Sequence, residues 1–220
     1  YTSSVATLGL NSDGSSANEE TPSDLATING YYKRSKYQAE RIVKKLTDDH
    51  QLPLIIVNPS TPIGPGDVRP TPTGRIVMDT LMGRMPAYVN TGLNIAHVDD
   101  IAQGPILAYQ QGKLGERYIL GGDNMMLLQI LQTIDEINGV QVNRIRVPVN
   151  LMLPLAWCME KMANVTHTEP RATLDSIRMA KKLMFFSSAK AQRELGYQYR
   201  PAIEALKDAV RWFKKHDYCK

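Results

Sequence analysis

Residues 1–220 predict an α/β fold built on an open, doubly wound parallel sheet. Three observations carry that expectation. An uninterrupted apolar run, QLPLIIVN at 51–58, follows a helical pattern and is closed by Pro59, which reads as a parallel strand buried on both faces. Strand and helix patterns alternate along the rest of the chain, as crossover connections require. Ser4 and the Pro59 loop both fall just after strand patterns, and open parallel sheets put their sites at the carboxyl ends of strands.

The chain opens at Tyr1, without a Met, directly into TSSVATLG. This reads as the end of a strand and its loop, so the sheet is expected to be a fragment, incomplete at the N-terminus. A polar stretch at 11–24 reads as a surface loop, and Thr21-Pro22-Ser23-Asp24 as a helix start with Ser and Asp as caps. The helix is expected from Ala26 or Tyr31 to Thr47, with Ala39, Ile42, Val43 and Leu46 as its apolar stripe. After the strand at 51–58 comes a Pro- and Gly-rich segment at 60–74, and a long loop behind a buried strand is more often functional than decorative. A helix is expected at 75–82, and Asp99 and Asp100 as caps of another running to about 111. Strands at 116–120 and 143–149 flank a helix at 126–137. Helices at 150–163, 171–182, 188–195 and 202–215 complete the pattern, the last with Ile203, Leu206, Val210 and Phe213 on one face.

Composition narrows the function. The chain is 43% hydrophobic and 22% charged, with a net charge of +4, an ordinary globular balance. Its Lys and Arg are spread rather than gathered into the stripe of a nucleic-acid binder. Two cysteines, Cys158 and Cys219, lie far apart without His at metal spacing, so neither a disulfide framework nor a metal site is expected and a cytoplasmic location is the default. The longest apolar run, 151–159, is broken by Pro154 and falls short of the ~18 residues that span a bilayer. No signal peptide is visible.

The chemistry lies in YYKRSKYQAE. Tyr32 and Lys36 are i and i+4, one turn apart on one helix face. A free tyrosine titrates near ~10, too high for a base at neutral pH. A neighbouring ammonium favours the phenolate, which can take a proton from a substrate hydroxyl as hydride leaves the same carbon. A nearby serine can orient that oxygen. The spacing alone is weak, because Tyr109 and Lys113 repeat it. That second copy is interrupted by Gly112 and has no Ser-rich strand end upstream, whereas Tyr32 has Ser3-Ser4 before it and Asn58-Pro59-Ser60 after it. Judged by spacing alone, a partly exposed helical tyrosine is the competing account.

TSSVATLG, YKRSK with AE following, NPS, HVDDIA and SAKAQRELGY together resemble the extended short-chain dehydrogenase/reductases, the NAD-dependent epimerase/dehydratase family, in order and over essentially the whole chain. PTPTGR at 70–75, TGLN and YILGGDN look most like the hopanoid-associated sugar epimerases, which are similar to dihydroflavonol 4-reductases. The resemblance implies a Rossmann-type domain: residues 1–67 as its C-terminal part, with the helix at 99–112 returning to it, and 68–220 as mainly a smaller substrate lobe. It implies Ser4 as substrate-orienting serine, Tyr32 as acid/base, and Lys36 favouring the phenolate and bonding the nicotinamide ribose of NAD or NADP. Pro59 and Ser60 would pack beside the nicotinamide, largely through backbone contacts. The family's GxxGxxG loop, which cradles the pyrophosphate, does not occur in these 220 residues. By itself the chain is therefore expected to bind a dinucleotide poorly and to be inactive.

The implied substrate is a small molecule, a sugar or nucleotide-sugar-like alcohol. The rivals are a dihydroflavonol-type NADPH ketone reductase and a non-catalytic nucleotide-binding member. Many relatives form homodimers through helices around the catalytic Tyr. Thr71, Thr73 and Arg75 could line the substrate pocket, or belong to a Pro-stiffened loop capping the next helix. His97, Asp99 and Asp100 read as a helix N-cap with a buried His rather than a metal site. Gly121-Gly122 reads as a strand-to-helix turn. Leu151, Leu155, Trp157 and Met159 read as lobe packing rather than a lid, and Arg171, Arg178, Lys181 and Lys182 as a solvated face rather than a diphosphate patch.

Overall fold

The computed structural model describes residues 1–23, 30–151 and 182–219. After a 3-10 turn at Val5–Thr7 come α1 (Tyr31–His50), β1 (Ile56–Pro59), β2 (Thr61–Ile63), α2 (Pro72–Leu81), β3 (Ala87–Tyr88), β4 (Gly92–His97), α3 (Val98–Gln111), β5 (Arg117–Leu120), β6 (Asp123–Met126), α4 (Leu127–Asn138), β7 (Ile145–Arg146), β8 (Leu183–Met184), α5 (Ala189–Leu195) and α6 (Ala202–Lys215). The α/β expectation holds. β1 and β5 pair in parallel from Ile56–Arg117 to Pro59–Leu120. The opening residues add to the other edge of β1: Thr2 bridges Val57 in parallel, and Ser3 N–H donates to the Val57 carbonyl at 2.8 Å. TSSVATLG is thus a strand end followed by a turn, as expected.

A second sheet centres on β4, with β2 and β8 parallel to it and β6 antiparallel. β4 was not legible beforehand, because GLNIAH carries Gly, Asn and His within a strand whose six residues are all buried. β6 was missed too, so Gly121-Gly122 joins two strands, β5 and β6, rather than a strand and a helix. Strong packing explains the glycines: a Cβ on Gly122 would lie 2.2 Å from the Ile95 carbonyl oxygen, and one on Gly121 2.4 Å from Asn94 Oδ1.

Other boundaries shift for local reasons. The strand expected at 51–58 shortens to β1, since Gln51 is the left-handed C-cap of α1 and Pro53 has no N–H to pair. The loop at 60–74 contains β2, and α2 starts three residues early because Thr71 caps it and Pro72 occupies the first turn. α3 is capped by the side chain of His97, with Asp99 and Asp100 in its first turn. The strand at 143–149 contracts to β7, paired with β3. The helix start at 24–29 and the helices at 152–163 and 171–181 lie outside the described residues, as do Leu155, Trp157, Met159, Arg171, Arg178 and Lys181.

α6 matches its expected bounds and buries Ala202, Ala205, Leu206, Ala209, Val210 and Phe213 against β4, α2 and α4. Each fully buried large side chain there contributes about 1.5–3 kcal/mol. Ile203 is off that face, 41% exposed. A second cluster sets α3 and α5 against β1 and β5 through Val57, Ala108, Tyr118, Leu120, Leu195 and Tyr197. α1 departs most from expectation. Ile42 and Leu46, read as part of its inner stripe, are 60% and 42% exposed. Among the described residues no helix is long and apolar enough to cross a membrane.

Candidate active site

Tyr32, Lys36 and Glu40 follow one another at four-residue steps on α1, hence on one face. The helix starts after Gly30, whose φ of 89° suits glycine, and its one buried residue is Glu40. Tyr32 is 62% exposed and open to a ligand, while Lys36 is half-buried. Beside Tyr32, burial and then the charge of Lys182 push the Lys33 ammonium below the ordinary lysine range.

Ser4 ends the opening strand and caps the 3-10 turn. Its Oγ accepts from Ala6 N–H at 3.1 Å, and its carbonyl accepts from Asn58 Nδ2 at 2.9 Å. A hydroxyl that accepts from a backbone N–H keeps its own proton to donate. Ser4 is joined to α1 through its neighbours: Ser3 Oγ donates to Glu40 Oε2 at 2.6 Å, and Thr7 Oγ1 lies 2.8 Å from the same oxygen.

At the carboxyl end of β1, Ser60 N–H donates to the Leu120 carbonyl at 3.0 Å, and Pro59 has no N–H to give. Neither residue therefore offers a free backbone donor, and what Ser60 does offer is its hydroxyl. Ser60 Oγ and Asn58 Oδ1 are buried without a hydrogen-bond partner. Buried polar atoms left unpaired cost about 1–3 kcal/mol each.

Thr71, Thr73 and Arg75 sit at the start of α2. Thr71 Oγ1 donates to Asp67 Oδ2 at 2.9 Å and accepts from Gly74 N–H at 3.2 Å, and Thr73 Oγ1 lies 3.3 Å from it. Thr71 therefore acts as a helix cap, and Arg75 is exposed. A cleft of about 190 Å³ is lined by Pro62, Gly64, Asp67, Thr71 and Phe213, among others, but not by Thr73, Arg75, Ser4, Tyr32 or Lys36. The structure ties the Ser4 turn to α1 through Glu40, and of Thr71, Thr73 and Arg75 it places Thr71 on the cleft.

The His97 cluster is structural in its bonding. Asp99 N–H and Arg200 Nη2 both reach Nδ1, at 3.1 and 3.0 Å, and Asp208 faces Nε2 at 3.4 Å. Two donors on Nδ1 leave the proton on Nε2. Among the described residues no group of three or more His, Cys, Asp or Glu could hold a metal.

The NAD dependent epimerase/dehydratase family matches residues 1–121, which hold Ser4, Tyr32, Lys36, Pro59, Ser60, Thr71, Thr73 and Arg75. The chain belongs to that family. A putative dihydroflavonol 4-reductase from Synechocystis sp. is 43% identical, over all of this chain and 65% of its own length. Sterol demethylase protein B of Methylococcus capsulatus is 32% identical over 98% of the chain and 66% of its own length. The chain thus spans slightly less than two thirds of these relatives. Among solved structures, gox2253 superposes with a TM-score of 0.87 at 50% identity, covering all of this chain and 67% of that one. A nucleoside-diphosphate-sugar epimerase from Pseudomonas aeruginosa gives 0.80 at 22% identity over the same shares, a likeness of fold. The fold is Rossmann type, and the family's cofactor is NAD or NADP.

Glu40 and Asn58 were missed as site residues. The signal for Glu40 was present: a carboxylate at i+4 from Lys36 continues the Tyr32–Lys36 face, where a solvated helix would put an outward charge.

Proposed function

We propose that the whole protein is an NAD(P)-dependent oxidoreductase or epimerase acting at a carbinol carbon of a sugar or nucleotide-sugar-like substrate. Tyr32 is the acid/base, Lys36 the cation that favours its phenolate and bonds the nicotinamide ribose, and Ser4 the donor that orients the substrate oxygen. Pro59 and Ser60 pack beside the nicotinamide. The observation that carries this reading is the pinning of the Ser4 turn to the Tyr32–Lys36 helix through Glu40.

When bound, NAD or NADP supplies the hydride acceptor or donor at the substrate carbon. In oxidation, Ser4 donates to the carbinol oxygen, and the Tyr32 phenolate takes the hydroxyl proton as the C–H electron pair departs as hydride. The product is a carbonyl, and the phenol, on a side chain 62% exposed, loses its proton to solvent to restore the phenolate. In reduction the same phenol returns the proton to the oxygen. Residues 1–67 with α3 serve the cofactor side and residues 68–220 mainly the substrate side. The exposed Ile42 and Leu46 of α1 support pairing of two copies along that helix.

The 43% relative named a putative dihydroflavonol 4-reductase favours a second reading, net reduction of a ketone by NADPH. Product analysis on the whole protein separates them. Stoichiometric oxidation of NADPH with a ketone supports the reductase, and isomerisation of a nucleotide sugar without net cofactor turnover supports the epimerase. Dinucleotide binding with neither activity would leave a non-catalytic member of the fold.

A further inference from the structure

We infer that Glu40 is the positioning residue of this site, the buried carboxylate that fixes the rotation of α1 against the Ser4 turn. The inference rests on the reading of Ser4, Tyr32 and Lys36 given above. Glu40 is 4% exposed on a helix that buries nothing else. Its Oε2 receives Ser3 Oγ at 2.6 Å, Thr7 Oγ1 at 2.8 Å and Asn58 Nδ2 at 3.3 Å. Its Oε1 lies 3.1 Å from Arg117 Nη2 and 3.6 Å from Lys44 Nζ. One side chain therefore ties α1 to the opening strand, the 3-10 turn, β1 and β5.

An amphipathic helix normally has its rotation set by an apolar ridge. On α1 the apolar contact is thin, since Ile42 and Leu46 are exposed and Ala39 and Val43 only half-buried, so the fully buried carboxylate is its firmest anchor. A slip of one residue turns the helix by about 100° and would carry Tyr32 and Lys36 away from Ser4. Glu40 lies two turns from Tyr32, about 12 Å along the axis, and so acts through the helix without touching reacting atoms. The same cluster holds the other partner: Asn58 Nδ2 reaches both Glu40 and the Ser4 carbonyl. Both halves of the site are referenced to one carboxylate.

The test is a double-mutant cycle in the whole protein, with Glu40→Gln, Tyr32→Phe and the double variant, each normalised to folded protein. Glu40→Gln keeps an acceptor for Ser3 and Thr7 and removes the charge facing Arg117. Its expected effect is a loss in kcat of about 10–100-fold, the scale of a misplacement near 1 Å. NAD(P)H affinity, measured by fluorescence titration with whichever dinucleotide the protein binds, is expected to stay within about twofold. In the Tyr32→Phe background the same change should lower residual turnover by less than about threefold, because the misplaced group is already gone.

A purely structural role would lower turnover by the same factor in both backgrounds, and that result overturns the inference. So does a Glu40→Gln enzyme within about twofold of wild type beside a crippled Tyr32→Phe. Unchanged turnover in Tyr32→Phe would instead sink the reading of Tyr32, and this inference with it. Should Glu40→Gln fail to fold, Ser3→Ala, which removes only the 2.6 Å bond, carries the same cycle with an expected loss of about 3–10-fold.

Discussion

Replacing Asp135 by Asn leaves the Arg144 guanidinium buried without its counter-charge, and the geometry sets the cost. The two side chains are 5% and 1% exposed. Arg144 Nη1 and Nη2 both bond Asp135, and Nε donates to the Met85 carbonyl at 2.9 Å. The pair therefore fastens the end of α4 to the segment leading into β3. Breaking one side of such a pair costs about 3–5 kcal/mol, whereas replacing both sides by apolar groups of similar volume is often neutral. At about 2–4 °C per kcal/mol for a chain of this size, Asp135→Asn should lower the melting temperature by about 6–20 °C. Urea unfolding of Asp135→Asn, Arg144→Met and the apolar pair Asp135→Leu with Arg144→Met measures this directly, with the double variant expected to be more stable than either single. A cost below about 1 kcal/mol for Asp135→Asn, the value of an exposed pair, would refute the burial argument.

The remaining predictions concern pH, backbone packing and motif choice. Burial pushes the Asp100 carboxyl up, but the side-chain and backbone bonds from Arg200, and the Arg200 charge, outweigh this and leave it below the usual range. A depressed carboxyl stabilises the fold fully above the unfolded value near ~4 and loses that contribution as pH falls through its folded value. The stability gap between wild type and Asp100→Asn, measured by urea unfolding, should therefore be complete near neutrality and shrink at acid pH. Gly122→Ala drives a Cβ to within 2.2 Å of a β4 carbonyl oxygen and should cost about 1–3 kcal/mol or more by the same assay. Tyr109→Phe alters the second Tyr–Lys spacing at a residue 88% exposed, and should leave kcat within about twofold.

How far the sequence could be read depended on how locally each feature was specified. α6 was legible to the residue, because Leu206, Val210 and Phe213 repeat at helical spacing between Pro201 and a basic last turn. The strand at β1 was legible from its Leu/Ile/Val run. β4 was not, since its Asn94 and His97 are satisfied by Gly122, Phe186 and Arg200, distant partners that sequence spacing cannot supply. Tyr32, Lys36 and Ser4 were singled out by type and spacing on a helix and at a strand end. Their connection through Glu40 was hidden, because four of its five partners come from other elements. Thr71 illustrates the opposite limit: a Pro-flanked threonine before a helix has the same pattern whether it faces a ligand or caps, and here it bonds Asp67 and Gly74 as a cap while also lining the cleft.

The account turns on Tyr32 moving the substrate proton. Turnover and dinucleotide binding of Tyr32→Phe in the whole protein test it most directly, since the change removes one hydroxyl from a side chain already 62% exposed and should leave folding untouched. The predicted result is a loss of turnover by about 10²–10⁴-fold, the usual worth of a general acid/base, with cofactor affinity largely intact. Wild-type turnover in that variant would contradict it.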